Sequence, residues 1–202
     1  MKFTVAALPI LASVVDGFAF VPQKAVTSST ALESSACYFA TSTGNTETVA
    51  GYIAAAAGLE AEDIGDVEDA TLLGHDSIIV GAPTWNTGAD EERSGTSWDE
   101  WLYSNLSELD MTGKKVAIFG VGDQASYSEN FCDAAGELYD CFTEKGATVF
   151  GRTSTDGYEH EESKAVVDDK FVGLMCDEDN QYEASEKRAA DWIAQLKEEG
   201  FF

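Results

Sequence analysis

Basic side chains are scarce in this chain. Against 37 aspartates and glutamates stand 12 lysines and arginines, a net charge of −25 in 202 residues. Such a surface repels nucleic-acid phosphates, which excludes nucleic acid as a partner and favours partners with basic surfaces. Histidine is scarcer still. His75 and His160 lie far apart in sequence, which leaves a histidine metal site or histidine-based catalysis without support. The four cysteines, Cys37, Cys132, Cys141 and Cys176, form no C-x-x-C pair and no metal-ligand spacing. Reduced thiols in a reducing compartment are therefore expected. The signature G-x-x-x-x-G-K-[ST] is absent, which argues against a P-loop nucleotide hydrolase. A run long enough to span a bilayer is also lacking: Phe3 to Val15 is too short and is broken by Pro9. What remains, 44% hydrophobic and 24% charged, suits one globular domain with an appendage.

The appendage is the first 35 residues. Lys2 precedes the apolar Phe3–Val15, and Gly17-Phe18-Ala19-Phe20 follows, the layout of a secretory signal peptide. Val21 to Thr30 is rich in hydroxyls, and no acid then appears until Glu33, as in a transit peptide. In tandem the two look like the bipartite plastid presequence of algae whose plastids lie inside extra membranes. Ordinary secretion is the alternative. We expect a removable presequence over 1–35 and a mature domain over 36–202. Lys2 and Lys24 cancel Asp16 and Glu33, so the whole −25 belongs to the mature domain.

Within that domain, strand and helix patterns alternate. Ala36-Cys37-Tyr38-Phe39-Ala40 is a short apolar run, followed by Val49, Ala50, Ile53, Ala54 and Ala57 at helical spacing, with Gly58 as a stop. A short edge strand is expected near Ala61 to Ile64. Ser77–Ala82 and Val116–Gly120 are continuous apolar runs, as for strands covered on both faces. Trp98, Leu102, Leu106 and Leu109 mark one helix, and Phe131, Ala135, Leu138 and Phe142 the next. Thr148-Val149-Phe150 begins a last strand. A polar stretch then intervenes before Lys170-Phe171-Val172-Gly173-Leu174, and Ser185 to Glu199 reads as the final helix. This alternation predicts an α/β fold with a mostly parallel sheet and helices on both faces.

In such sheets ligands bind beyond the carboxyl ends of the strands. Three unusual segments fall just there: Thr41-Ser42-Thr43-Gly44-Asn45-Thr46, Pro83-Thr84-Trp85-Asn86-Thr87-Gly88, and Gly122-Asp123-Gln124-Ala125-Ser126-Tyr127. The first has the layout of a phosphate cradle. Hydroxyls and a glycine lead into a helix start, whose free N–H groups and dipole favour an anion. The other two each bring one aromatic ring. A cradle beside Trp85 and Tyr127 suggests a flat aromatic ligand between the rings, and stacking of this kind contributes about 1–3 kcal/mol per contact. Apart from Arg93, beyond Gly88, the loops hold no cation. If the ligand is a flavin, one negative charge about 10 Å from its anionic reduced form costs about 1.7 kcal/mol at an effective dielectric of 20. That is about 70 mV for one electron, so a few such charges make a strongly reducing carrier. Two local patterns carry less. Gly120-Val121-Gly122-Asp123-Gln124-Ala125 fits a loose dinucleotide fingerprint, but it comes late and no acidic residue falls at the end of a following strand about 20 positions on. Asn105-Leu106-Ser107 matches a glycosylation acceptor but lies on an expected helix.

Together these residues resemble the flavodoxins. Thr41–Glu47 is similar to their phosphate loop, Pro83–Asn86 to the first flavin-stacking loop, and Phe119–Gln124 with Tyr127, Asn130 and Phe131 to the second. Ser154–Tyr158 and Lys170–Leu174 resemble the insertion that splits the last strand in long-chain members. The likeness covers about residues 36–199. It implies a doubly wound, five-stranded parallel sheet of order 2-1-3-4-5 and non-covalently held FMN. Thr41–Thr46 would take the phosphate, and Trp85 and Tyr127 would flank the isoalloxazine. The Asn86–Thr87–Gly88 backbone would face its N5 edge, with a peptide flip tolerated by Gly88. Gly122, Asp123, Asn130, Phe131 and Asp179 complete the implied binding set. The function implied is one-electron transfer from photosystem I to ferredoxin–NADP reductase when iron is scarce, by a monomer with no catalytic residue, no metal and no stable membrane insertion. An FMN-dependent NAD(P)H:quinone reductase on the same fold is the alternative. Three features depart from the family: Ala89–Gly95 lengthens the Trp85 loop, Ser126 precedes the tyrosine where glycine is common, and Cys132 replaces a polar residue.

Overall fold

The computed structural model describes residues 34–202. The presequence expected over 1–35 lies, up to residue 33, outside the described residues. In chain order the elements begin with β1 (Ser35–Phe39), α1 (Asn45–Ala57), β2 (Ala61–Asp63), α2 (Asp69–Leu73) and β3 (Ser77–Pro83). Next come α3 (Ser97–Glu100, continued by π and 3-10 turns to Glu108), β4 (Lys115–Val121), α4 (Asp133–Glu144) and β5 (Thr148–Phe150). The chain closes with β6 (Thr153–Ser154), β7 (Val166–Val167), β8 (Lys170–Phe171), β9 (Leu174–Cys176) and α5 (Tyr182–Glu198).

The main sheet is parallel, in the order β2-β1-β3-β4-β5. Its last position is shared: Lys115–Ala117 pairs with β5, and Phe119–Val121 pairs with β9. The chain between β5 and β9 folds into a small antiparallel sheet, β6-β8-β7. The split last strand expected from the sequence is present. The run Lys170–Leu174 is divided between the two sheets, Lys170 and Phe171 in β8 and Leu174 at the start of β9.

Alternation along each strand makes two cores. Tyr38, Ile78, Val80, Val116 and Ile118 face α3 and α4, where Trp98, Leu102, Leu106, Leu138 and Phe142 complete the layer. Cys37, Phe39, Ile79, Ala117 and Phe119 face α1 and α5, against Val49, Ile53, Trp192, Ile193 and Leu196. This is why β3 and β4 read as unbroken apolar runs: both of their faces are covered. Gly81 is required by its neighbour across the ladder, because a Cβ there would sit 2.1 Å from the Phe119 ring. Trp98 is fully buried, donates its indole N–H to Gly81 O at 2.8 Å and meets Trp101 edge-on. Truncating it would cost about 3–5 kcal/mol.

Several boundaries differ from the sequence reading. The helix expected from Trp98 to Leu109 is short α-helix followed by π and 3-10 turns, because three aromatic side chains (Trp98, Trp101 and Phe142) pack within one layer there. Phe131 and Cys132 precede α4 rather than lying on it. Cys132 adopts a left-handed conformation (φ 56°) that starts the helix one residue later. All four cysteines are free thiols; burial raises Cys37 and Cys176 to about 12 and Cys141 to about 11. Among the described residues no acidic, histidine or cysteine cluster could hold a metal ion, and no helix is long and apolar enough to cross a membrane.

Candidate functional site

The loops after β1, β3 and β4 leave the same edge of the sheet, because parallel neighbours end together. In the first loop, Thr41 Oγ1 accepts the Gly44 N–H at 3.0 Å, closing a tight turn. Gly44 takes a φ of 96°, open to glycine, and no side chain caps α1 behind it. The N–H groups of Asn45, Thr46 and Glu47 therefore have no partner from the helix itself. Thr46 is buried, whereas Ser42 and Thr43 are exposed.

The second loop is held at both ends. Thr84 donates its N–H to Val121 O at 3.2 Å, and its hydroxyl accepts Ala134 N–H at 3.0 Å. Trp85 and Asn86 both donate their N–H groups to Arg93 O at 3.1 Å. The extra residues between them form an arch stapled to α4. Arg93 spans this arch, donating Nε–H to Ala89 O at 2.9 Å.

The third loop closes on itself. Asp123 Oδ1 accepts the N–H groups of Ala125 at 3.0 Å and Ser126 at 2.8 Å, and the Asn180 side chain at 2.8 Å. Burial pushes the Asp123 carboxyl up, but the Ser126, Asn180 and Ala125 bonds outweigh it and hold the group below its usual range. Behind it lies Asp177, fully buried, which accepts N–H groups from Gln124, Asp179 and Asn180 at 3.1, 3.1 and 2.9 Å. This fixes the loop after β9 against the loop after β4. Asp179 is pushed up by burial and by the charges of Asp123 and Asp177.

The three loops and Asp179 enclose one cleft of about 230 Å³. Ser42, Thr43, Asn45 and Thr46 line it on one side, Pro83, Thr84, Trp85 and Thr87 on the next, and Gly122, Asp123, Tyr127 and Asp179 on the third. Thr41, Gly44, Asn86 and Gly88 belong to the same loops without lining it. Trp85 is 49% exposed and Tyr127 52%, two of four exposed large apolar or aromatic side chains among the described residues. No lysine or arginine lines the cleft. Neutral N–H and hydroxyl donors at a helix start, with two open rings nearby, suit an anionic group joined to a flat aromatic one.

Asn130 and Phe131 fall outside. Phe131 is fully buried against Tyr158, His160 and Phe171, and its N–H is taken by Glu162 O. Asn130 supports Tyr127 from behind, donating its N–H to Tyr127 O at 3.0 Å. The sequence reading missed Val121, which lines the cleft, and Asp177, Asn180 and Glu137, which hold its loops.

A family model described as flavodoxin matches residues 38–192. The chain belongs to the flavodoxin family. Flavodoxin from a Picosynechococcus species is 45% identical over 164 residues, spanning 79% of this chain and 94% of that one. Flavodoxin 1 of Escherichia coli is 40% identical over 166 residues, 80% and 92% of the two chains. Among solved structures, Fusobacterium nucleatum flavodoxin bound to flavin mononucleotide superposes with a TM-score of 0.74 at 32% identity, covering 82% of this chain and 98% of that one. Flavodoxin membership accounts for the shared strand order and for three loops gathered at one sheet edge.

Proposed function

We propose that the protein is a low-potential carrier of single electrons that holds FMN non-covalently in this cleft. The observation that carries the reading is the meeting of an uncapped helix start with Trp85 and Tyr127 in a cleft lined by no cation. Thr41–Thr46 hold the phosphate, and the two rings flank the isoalloxazine. Asn86–Gly88 face its N5 edge, where Gly88 has a φ of 76° and no atom stands near a Cβ position. FMN supplies the one-electron chemistry; the chain binds it, orients it and limits water around it. Asp123 and Asp179 border the cleft and oppose negative charge on the ring, which lowers the potential of the last electron. Asn130 acts from behind Tyr127 rather than by touching the cofactor, and Phe131 belongs to the aromatic core with Tyr158 and Phe171.

The finer assignment is a long-chain flavodoxin of algal type, imported into a plastid by residues 1–35. There it carries electrons from photosystem I to ferredoxin–NADP reductase in place of ferredoxin. The presequence pattern supports this, as do the cyanobacterial relative and the −25 charge, which suits basic docking surfaces. A quinone reductase is not favoured, since the relatives are flavodoxins.

Purified protein should take up FMN stoichiometrically and accept electrons in two resolved one-electron steps during potentiometric titration. The rate of transfer to a basic reductase should fall as ionic strength rises. Rapid NAD(P)H oxidation without a reductase would overturn the carrier reading.

A further inference from the structure

The loop carrying Trp85 is anchored by a side chain about 50 positions further along the chain. We propose that Glu137, on α4, is the positioning residue that sets where Trp85 and the Asn86–Gly88 backbone stand against the cofactor. The proposal rests on FMN occupying the cleft. Glu137 is 3% exposed. Its carboxylate takes the Glu92 N–H at 2.7 Å, the Arg93 N–H at 2.8 Å and the Tyr103 hydroxyl at 2.5 Å. One carboxylate thus straddles two successive peptide N–H groups. That arrangement uses Glu92 at a φ of 58°, a left-handed conformation that a non-glycine residue keeps only when its surroundings impose it.

The same two peptides grip the stacking loop through their carbonyls. Arg93 O accepts the N–H groups of Trp85 and Asn86 at 3.1 Å, and Glu92 O accepts the Asn86 side chain at 2.5 Å. A continuous path of hydrogen bonds therefore runs from α4 through residues 92 and 93 to the backbone of Trp85. Beyond Arg93 the arch is fixed by Asp99, which accepts Ser94 Oγ–H at 2.6 Å and Gly95 N–H at 2.8 Å. Gly95 lies so close to the stem of the Trp85 side chain that a Cβ there would stand 2.8 Å from Trp85 Cβ. A shift of the arch is thus a shift of Trp85.

A purely space-filling role does not explain the residue. An apolar side chain of similar size would fill the position without burying a charge close enough to Asp140 to raise that carboxyl. The carboxylate is needed for its reach and for its two oxygens, each set to a different peptide.

The test compares Glu137→Gln, Glu137→Asp and Tyr103→Phe in the FMN-loaded protein. The readouts are FMN affinity, both one-electron potentials and urea unfolding of the apoprotein. Glu137→Gln should weaken FMN binding tenfold or more. It should change the affinity ratio between successive redox states about tenfold, which is about 59 mV for one electron. Glu137→Asp keeps the charge but draws it back by one methylene, and should move the same potential in the same direction. Tyr103→Phe leaves both peptide bonds in place and should change affinity less than threefold. Wild-type potentials in Glu137→Gln would overturn the proposal, even if stability fell. So would a shift in Glu137→Gln absent from Glu137→Asp, because charge alone would then explain it. Should Glu137→Gln fail to fold, Glu137→Asp decides by the same measurement. Failure of the wild-type apoprotein to take up FMN would instead overturn the reading of the cleft.

Discussion

Trp85 and Tyr127 are almost equally exposed, at 49% and 52%, and both line the cleft. The loops behind them are held by opposite means. The Tyr127 turn is short and closes around Asp123, a member of the turn itself, with Asp177 and Asn180 tying it to the next loop. The Trp85 loop doubles back through an arch, and its donors are satisfied by the arch's own carbonyls. Those peptides in turn hang from Glu137. A turn of a few residues can be fixed by one local carboxylate, because little chain entropy is lost in closing it. A longer arch needs an acceptor from a rigid element. One ring is therefore tuned locally, the other from a distant helix.

The largest effect expected from breaking this contrast comes at Asp177. Asp177→Asn should lose about 2–3 kcal/mol of stability by urea unfolding, since several buried N–H donors lose a charged acceptor. The loss should loosen Tyr127 and spare Trp85, which residue-assigned NMR signals of the two rings would show. Next come the rings themselves. Trp85→Ala and Tyr127→Ala should each weaken FMN binding by about 1–3 kcal/mol, measured by titrating the apoprotein; unchanged affinity in both would end the stacking picture. A smaller effect is expected with pH. The Asp123 carboxyl is held below its usual range by its hydrogen bonds. Its contribution is complete above the unfolded value of about 3.9 and is lost as pH falls through the folded one. The stability gap between wild type and Asp123→Asn should therefore close on acidification below pH 4. Asp179 is shifted the other way, by burial and by two neighbouring carboxylates. Asp179→Asn should stabilise the protein at neutral pH by a few tenths of a kcal/mol, after screening at so exposed a position.

What could be read from the chain follows from which signals are local. Ser77–Ala82 and Val116–Gly120 announced themselves because a strand covered on both faces has no polar alternation to hide it. The three loops were legible because each carries residue types that a solvent loop does not need. The two-residue strands β6, β7 and β8 are too short for any period to show, and α2 was not anticipated. Phe131 was assigned to the cleft only by its resemblance to the second flavin-stacking loop. The left-handed Cys132 and the bond from Phe131 N–H to Glu162 turn it into the aromatic core instead. Glu137 was invisible for a related reason. A glutamate between Ala135 and Leu138 reads as the wet side of an amphipathic helix, and only the returning arch makes that side an interior. Asp177 was similarly lost in an acidic run whose members have unlike surroundings.

The bare amino end of the first helix has a thermodynamic consequence. On the proposed reading the cofactor's phosphate, rather than a serine or aspartate of the helix itself, completes these donors, which links occupancy to folding. Excess guest at a hundred times its dissociation constant adds about 2.7 kcal/mol to the unfolding free energy. The melting temperature should accordingly climb with added cofactor.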